Sequence, residues 1–340
     1  MNLKLLSILC CPCCRNDLEC PAADGTKEVE NGTLSCTACG RRFPIVNKIP
    51  RFVPKENYAD NFGFQWNEFR TTQLDSHTMV PISRDRFYRY SGWSPDELRG
   101  KCILDVGCGA GRFTEIALAA GATVIAIDYS TAVEACSKSH GDNDRLSVCQ
   151  ADIYQLPFKG ETFDFVYCFG VLQHTPDVEK SFKMLPDLLK EGARLAIDLY
   201  PKITYLKPYY WIRPITKRIP VPRLFGLVRA VVPYFLPISR LICKVPFIGR
   251  KLRNIIPVAN YDGVFPLSEG QLLEWSILDT FDNLSPTHDH PQSLRTIRRW
   301  FEQSGLVDIE VFRSGFNVGR GTRPRRGGRC VPPTRDVLPD

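Results

Sequence analysis

The chain has 340 residues, with 44 Lys and Arg, 37 Asp and Glu, and 14 Cys. A hydrophobic share of 44% and a charged share of 24% are ordinary globular values and exclude disorder as the dominant state. The net charge of +7 points to an anionic partner but is unevenly placed: residues 202–261 hold 12 basic residues and no acid, which leaves 32 basic against 37 acidic elsewhere.

The length suits two domains, or one with a large insertion. Residues 1–54 read as a small module, because seven of the 14 cysteines fall within the first 39 residues. A cysteine cluster in a long chain without a secretion signal suggests a reducing compartment and one metal site. The apolar stretch 5–9 is too short for a signal sequence. No segment offers 18 uncharged apolar residues, so no transmembrane helix is expected. Cytoplasmic residence follows, with peripheral attachment at the inner membrane face as an extension.

Two Cys-x-x-Cys knuckles, Cys11/Cys14 and Cys36/Cys39, are spaced to place four thiolates around one zinc ion. Cys10/Cys13 is an alternative first pair, but Pro12 presets the turn between Cys11 and Cys14. Four protein ligands close the coordination shell, so the metal would be structural. Residues 55–100 are rich in aromatic and polar side chains and read as a helical connector. Tyr58 and the run Phe64, Gln65, Trp66 could close as a lid or glue the connector to the core.

From Lys101 strands alternate with helices. Strands are expected at 102–106, 123–127, 146–150, 163–169 and 193–199, with helices at 112–120, 131–139 and 178–189, the last kinked at Pro186. That rhythm implies right-handed crossovers and an α/β, doubly wound, mainly parallel Rossmann-like sheet. This core spans 101–201 and resumes at 291–319, with a helix at 293–304 and a strand at 307–312. Residues 320–340, rich in Arg, Gly and Pro, read as a disordered tail.

The first strand ends in Asp105-Val106-Gly107-Cys108-Gly109-Ala110-Gly111, where glycines let a backbone approach a ligand. An acid beside the turn opposes a pyrophosphate and suits the cationic amino-acid part of S-adenosylmethionine. Asp128 ends the second strand, where a carboxylate can accept from two ribose hydroxyls. Asp152 and Ile153 follow the third strand, placed for the adenine amine and ring. These stations, in this order, resemble the class I S-adenosylmethionine-dependent methyltransferases, nearest to the ubiquinone/menaquinone-biosynthesis group. The resemblance implies that Asp105, Gly107, Gly109, Asp128, Asp152 and Phe169 line the cofactor, with Gly111, Tyr129 and Ile153 completing the set. Where that family usually has Lys-Pro-Gly-Gly before the fifth strand, this chain has Lys190-Glu191-Gly192-Ala193, keeping a turn at Gly192. Residues 5–54 resemble the zinc-ribbon proteins that activate RNA and protein methyltransferases, here fused to the partner.

Methyl transfer needs alignment, and a base only where the acceptor must lose a proton. His174, after the fourth strand, is one candidate base and can equally hold its loop by a hydrogen bond. His290, in the run His288-Asp289-His290, is the other, against the reading of a polar loop with an Asp cap. The insertion at 202–290 carries a possible stripe of Arg223, Arg229, Arg240 and Lys244 opposite Leu224, Phe225 and Val228, which Pro233 and Pro237 should break. Three readings of the insertion stand: an acceptor lid, an anionic membrane surface or a nucleic-acid groove. Its many aliphatics favour lipid over RNA. The expected function is methyl transfer to oxygen or carbon of a small-molecule or lipid-like acceptor. The alternatives are an RNA or protein methyltransferase and a non-catalytic scaffold. Amino-group methylation is disfavoured because Phe169-Gly170-Val171-Leu172 replaces Asn/Asp-Pro-Pro-Tyr.

Overall fold

The computed structural model describes residues 1–21, 28–54, 57–247, 249 and 255–325. The N-terminal module is a small antiparallel sheet in the order β1 (Leu18–Glu19), β2 (Gly32–Cys36), β3 (Arg42–Val46) and β4 (Ile49–Pro50). Along β3 the buried Phe43 and Ile45 alternate with exposed neighbours, the period-two signature of a half-buried strand. The connector holds α1 (Asp60–Glu68), α2 (Asp75–Thr78), α3 (Ile82–Ser91) and α4 (Pro95–Leu98). Ser94 and Glu97 form a capping box at the last of these, with Pro95 in its first turn.

The core runs β5 (Cys102–Val106), α5 (Arg112–Ala119), β6 (Thr123–Asp128), α6 (Ala132–His140), β7 (Leu146–Gln150), β8 (Phe163–Cys168), α7 (Val178–Lys183) and β9 (Leu189–Leu199). The insertion follows with α8 (Pro208–Thr216), α9 (Val221–Cys243) and α10 (Glu269–Leu284). The chain then returns through α11 (Leu294–Gln303), β10 (Val307–Ser314) and β11 (Phe316–Thr322). Seven strands form one sheet in the order β10-β11-β9-β8-β5-β6-β7. β5 pairs in parallel with β6 on one side and β8 on the other, so the order reverses there and opens a crevice at the carboxyl ends. β11 runs antiparallel to both neighbours.

Several sequence expectations are corrected. α7 ends at Lys183 rather than continuing through Pro186. Proline removes a backbone donor and bars its predecessor from the α region, and Pro186 opens a separate turn. β9 starts at Leu189, and Gly192, at φ +75°, lies within it as a bulge where the β8 register shifts. The tail does not begin at Arg320, because β11 pairs with β9 through Thr322↔Arg194. Residues 326–340 lie outside the described residues. α9 runs unbroken through Pro233 and Pro237. Both prolines are exposed and four residues apart, so the carbonyls they orphan fall on one outer side. α9 is also long and apolar enough, by length and composition, to cross a membrane. Arg223, Arg229 and Arg240 interrupt it, so it still holds no run of 18 uncharged apolar residues.

Two apolar clusters cover the two faces of the sheet. One is continuous with the N-terminal module, joining Leu9, Leu34 and Ile45 to Phe158 and Phe163. Cys10 N–H donates to the Pro157 carbonyl at 2.9 Å, and Arg15 donates to the Leu156 and Phe158 carbonyls at 2.7 and 2.5 Å. A third cluster, of Leu224, Val228, Val232, Leu236 and Phe281 with neighbours, joins α9 to α10.

Candidate functional site

The glycine turn sits at the crevice. Gly107 and Gly111 hold φ +82° and +90°, in the left-handed region that favours glycine. A Cβ on Gly107 would lie 2.3 Å from a Val171 methyl, and one on Gly111 would lie 2.5 Å from the His140 ring. Gly107 and Cys108 N–H donate to the Ile127 carbonyl at 2.7 and 2.8 Å, which binds the turn to β6. Asp128, at the end of β6, accepts from Gly109 N–H at 3.0 Å and from Ser130 N–H and hydroxyl at 2.8 and 2.7 Å. Burial pushes the Asp128 carboxyl up, and these hydrogen bonds pull against it.

A cavity of about 960 Å³ opens from this turn. That lies near the top of the range for ligand pockets, enough for a nucleoside cofactor and an acceptor side by side. Of the residues expected at the cofactor, Gly107, Gly109, Asp128, Tyr129, Ile153 and Phe169 line it. Asp105, Gly111 and Asp152 do not. Asp105 is 2% exposed and accepts from the Thr114 hydroxyl at 2.6 Å, so it anchors α5 behind the turn. Burial pushes its carboxyl up to about 7. Gly111 is the cap from which α5 starts, and Asp152 accepts from Tyr154 N–H at 2.9 Å, closing a short turn. Tyr58, Phe62 and Trp66 close the opposite wall. The proposed lid divides: Trp66 faces Gly109, whereas Phe64 packs on Phe225 and Phe281, and Gln65 donates to Asp282 at 3.1 Å.

His174 lines the cavity beside Phe62 and Tyr200, with ring centroids at 5.0 and 5.5 Å. Its Nδ1 lies 3.1 Å from the His288 carbonyl oxygen, which only accepts. Nδ1 therefore carries a proton, and in the neutral imidazole Nε2 is the nitrogen with the lone pair. The structure places His290 outside the lining, its backbone N–H donating to the Gln173 carbonyl at 2.8 Å. Asp289, between the two histidines, accepts from Tyr210 at 2.7 Å and from Arg213 in a buried pair. That pair pins the loop to α8 and explains why the second histidine is held away.

Sequence reasoning missed a polar group deep in the cavity. Arg86, on α3, donates to Asp198 at 2.5 Å and stacks over Phe316 at 4.6 Å. Arg112 donates to Ser83 at 2.8 Å and to Gln73 at 2.8 Å. Asp279 accepts from the Tyr261 hydroxyl and lies 3.3 Å from the Gln73 amide. Burial raises Asp279 to about 7 and lowers Arg112 to about 10. Gln73, Ser83 and Arg86 come from the connector, Tyr261 from the segment before α10 and Asp279 from α10, none of which carried a sequence motif. Arg112 alone was visible, as the residue after the glycine turn.

The Sγ atoms of Cys11, Cys14, Cys36 and Cys39 lie within 4.8 Å of one another. Cys11–Cys39 and Cys14–Cys36 are 3.7 and 3.4 Å apart. A tetrahedral zinc with bonds of about 2.3 Å needs sulfur separations of about 3.8 Å, so this set fits a structural zinc ion. Cys10 and Cys13 stand outside the group, and Cys13 takes the Arg41 guanidinium at 2.6 Å.

Residues 104–197 match a family model described as a methyltransferase domain, and residues 2–47 match one described as Trm112p-like protein. The chain is 36% identical over 101 residues to a ubiquinone biosynthesis O-methyltransferase of Coxiella burnetii, covering 29% of this chain and 43% of that protein. It is 31% identical over 145 residues to a yeast (Saccharomyces cerevisiae) sterol 24-C-methyltransferase, covering 41% of this chain and 38% of that one. Among solved structures, magnesium protoporphyrin IX methyltransferase from Synechocystis PCC 6803 aligns over 78% of this chain and 96% of its own, at 17% identity and a TM-score of 0.43. The chain thus spans less than half the length of the curated relatives named.

Proposed function

We propose that this chain, built on a methyltransferase domain at 104–197, transfers the methyl group of S-adenosylmethionine to oxygen or carbon of a small-molecule or lipid-like acceptor. The observation that carries the reading is one cavity lined both by Gly107, Gly109 and Asp128 and by His174 among the aromatic rings of Phe62 and Tyr200. When bound, the cofactor supplies a methyl group on an activated sulfonium, open to in-line displacement. The protein's task is to align the acceptor with it and exclude water.

In this reading Asp128 accepts from the ribose hydroxyls, and Gly107 and Gly109 let the amino-acid end approach. Asp105 supports the turn from behind and Phe169 closes the adenosine side. His174 Nε2 takes the proton of a hydroxyl acceptor, while its Nδ1–H stays on the His288 carbonyl. A carbon acceptor with no proton to lose at that stage would use His174 only to shape the pocket. Cys11, Cys14, Cys36 and Cys39 would hold a zinc ion that ties the ribbon together, and with all four ligand positions taken by protein it would play no part in the chemistry. Four thiolates kept reduced for zinc suit a reducing compartment such as the cytoplasm.

Calorimetry with S-adenosylmethionine on zinc-loaded protein tests the first step. Asp128→Ala should weaken binding by about tenfold or more, since a buried acceptor of two hydroxyls is lost. Unchanged affinity would remove Asp128 from the site. Labelled methyl transfer into fractionated lipid, protein and RNA pools tests the second step. Label in RNA or protein and not in lipid would favour the alternative suggested by the Trm112p-like segment.

A further inference from the structure

We infer that α9 docks this protein on the surface of an anionic phospholipid membrane. The helix shows three faces. Leu224, Val228, Val232 and Leu236 are buried against α10. About a third of a turn away, Leu227, Tyr234, Ile238 and Leu241 are 52, 77, 48 and 68% exposed, and the stripe continues past the helix in Val245 and Phe247 at 44 and 100%. Exposed apolar side chains in a contiguous row mark a binding surface, because water gains when they are covered.

Charge selects the occupant. Arg223 and Arg229 stand exposed on the same helix and Lys244 just past its end, with Lys202, Lys217 and Arg218 on the segment before it. None of these six forms an ion pair among the described residues, and 202–261 contains no acid to oppose them. A second copy of this chain would bring the same cations to the contact and repel. A lipid surface carrying phosphates would attract them, and the apolar row would enter the acyl boundary.

The helix is long enough to span, yet its packing argues for lying flat. Crossing would strip Leu224, Val228, Val232 and Leu236 from the fold. It would also leave the carbonyls orphaned by Pro233 and Pro237 without water. The cavity wall continues into this insertion. Ile203 lines the cavity and is 56% exposed, and Lys207 and Tyr209 line it beside α8. A lipid-like acceptor could therefore pass from the docked face to the site, a step that rests on the reading given under Proposed function.

Flotation of the full, zinc-loaded chain with vesicles tests the inference. Binding is expected to equimolar phosphatidylcholine and phosphatidylglycerol vesicles, to weaken with added salt, and to be much weaker with phosphatidylcholine alone. Arg223→Gln, Arg229→Gln and Lys244→Gln together should weaken it on the order of a hundredfold. Leu227→Ser with Leu241→Ser should abolish it while leaving the Tm and zinc content unchanged, since both side chains are exposed. Equal binding to neutral vesicles, no binding to anionic ones, resistance to alkaline extraction, or a dimer in solution broken by the Leu227/Leu241 variant would each overturn it. The assay needs neither cofactor nor turnover. A chain that floats but does not bind S-adenosylmethionine defeats the methyltransferase reading alone. One that binds it but does not float defeats this inference alone.

Discussion

Three carboxylates around the crevice differ by what surrounds them. Asp128 faces the cavity with donors on both oxygens, Asp105 is sealed behind the turn on Thr114, and Asp279 sits against Tyr261 in the cavity wall. Asp279 is held at about 7 against an ordinary 3.8, so it binds its proton more tightly in the folded chain than in the unfolded one. Its favourable contribution is complete below the ordinary value and is lost as the pH rises through about 7. Asp279→Asn keeps the shape without the charge. Melting curves should show it more stable than the parent at about pH 8 by several degrees, and by clearly less at about pH 5, where only part of the contribution has been lost. An equal effect at both values would mean that Asp279 is not buried as a charge. For His174, His174→Gln should leave S-adenosylmethionine affinity within about threefold yet slow a hydroxyl acceptor's single-turnover methylation by about 10²–10⁴. A variant that turns over normally would return His174 to a purely structural place in its loop.

At the scale of elements, α1 links two bodies. One side presents Trp66 to the glycine turn, and the other carries Phe64 against Phe225 and Phe281. Periodicity marks such a helix as amphipathic, but it cannot say which partner each side meets. The insertion is locked by Arg213, which donates to the Asn283 carbonyl at 2.9 and 2.7 Å and pairs with Asp289 out of water. Arg213→Ala would leave Asp289 charged and buried, costing about 3–5 kcal/mol in denaturant unfolding. Arg213→Lys should rescue little, because one ammonium cannot replace a fork that serves two acceptors. The zinc ribbon is joined to the sheet through Arg15, Arg51 and the Leu9–Phe158 contact rather than by a loose linker. Removing zinc with a chelator, or Cys36→Ser, should therefore lower the melting temperature of the whole chain in a single transition. A separate early transition with the core unmoved would show the ribbon to be independent.

For the whole molecule, the alternation from Lys101 and the glycine turn were enough to foresee a doubly wound sheet with its crevice at Gly107, because period and turn chemistry are local. The cysteine spacing marked the four zinc ligands for the same reason. Less was legible in the insertion. Pro233 and Pro237 pointed to a break that α9 does not have, since exposure of both prolines was hidden from sequence. Nor could composition separate His174 from His290, which share a residue type and a loop setting but not a cavity. Arg86, Asp279 and Tyr261 carry no local signature, and they come together only because α3, α10 and the loop before α10 line one cavity. The sequence by itself determined the sheet, the four-cysteine group and the glycine turn, each written in residues close together along the chain. Tertiary structure alone decided which histidine faces the cavity, which carboxylates lose water, and which face of α9 is left bare, because burial depends on partners distant in sequence.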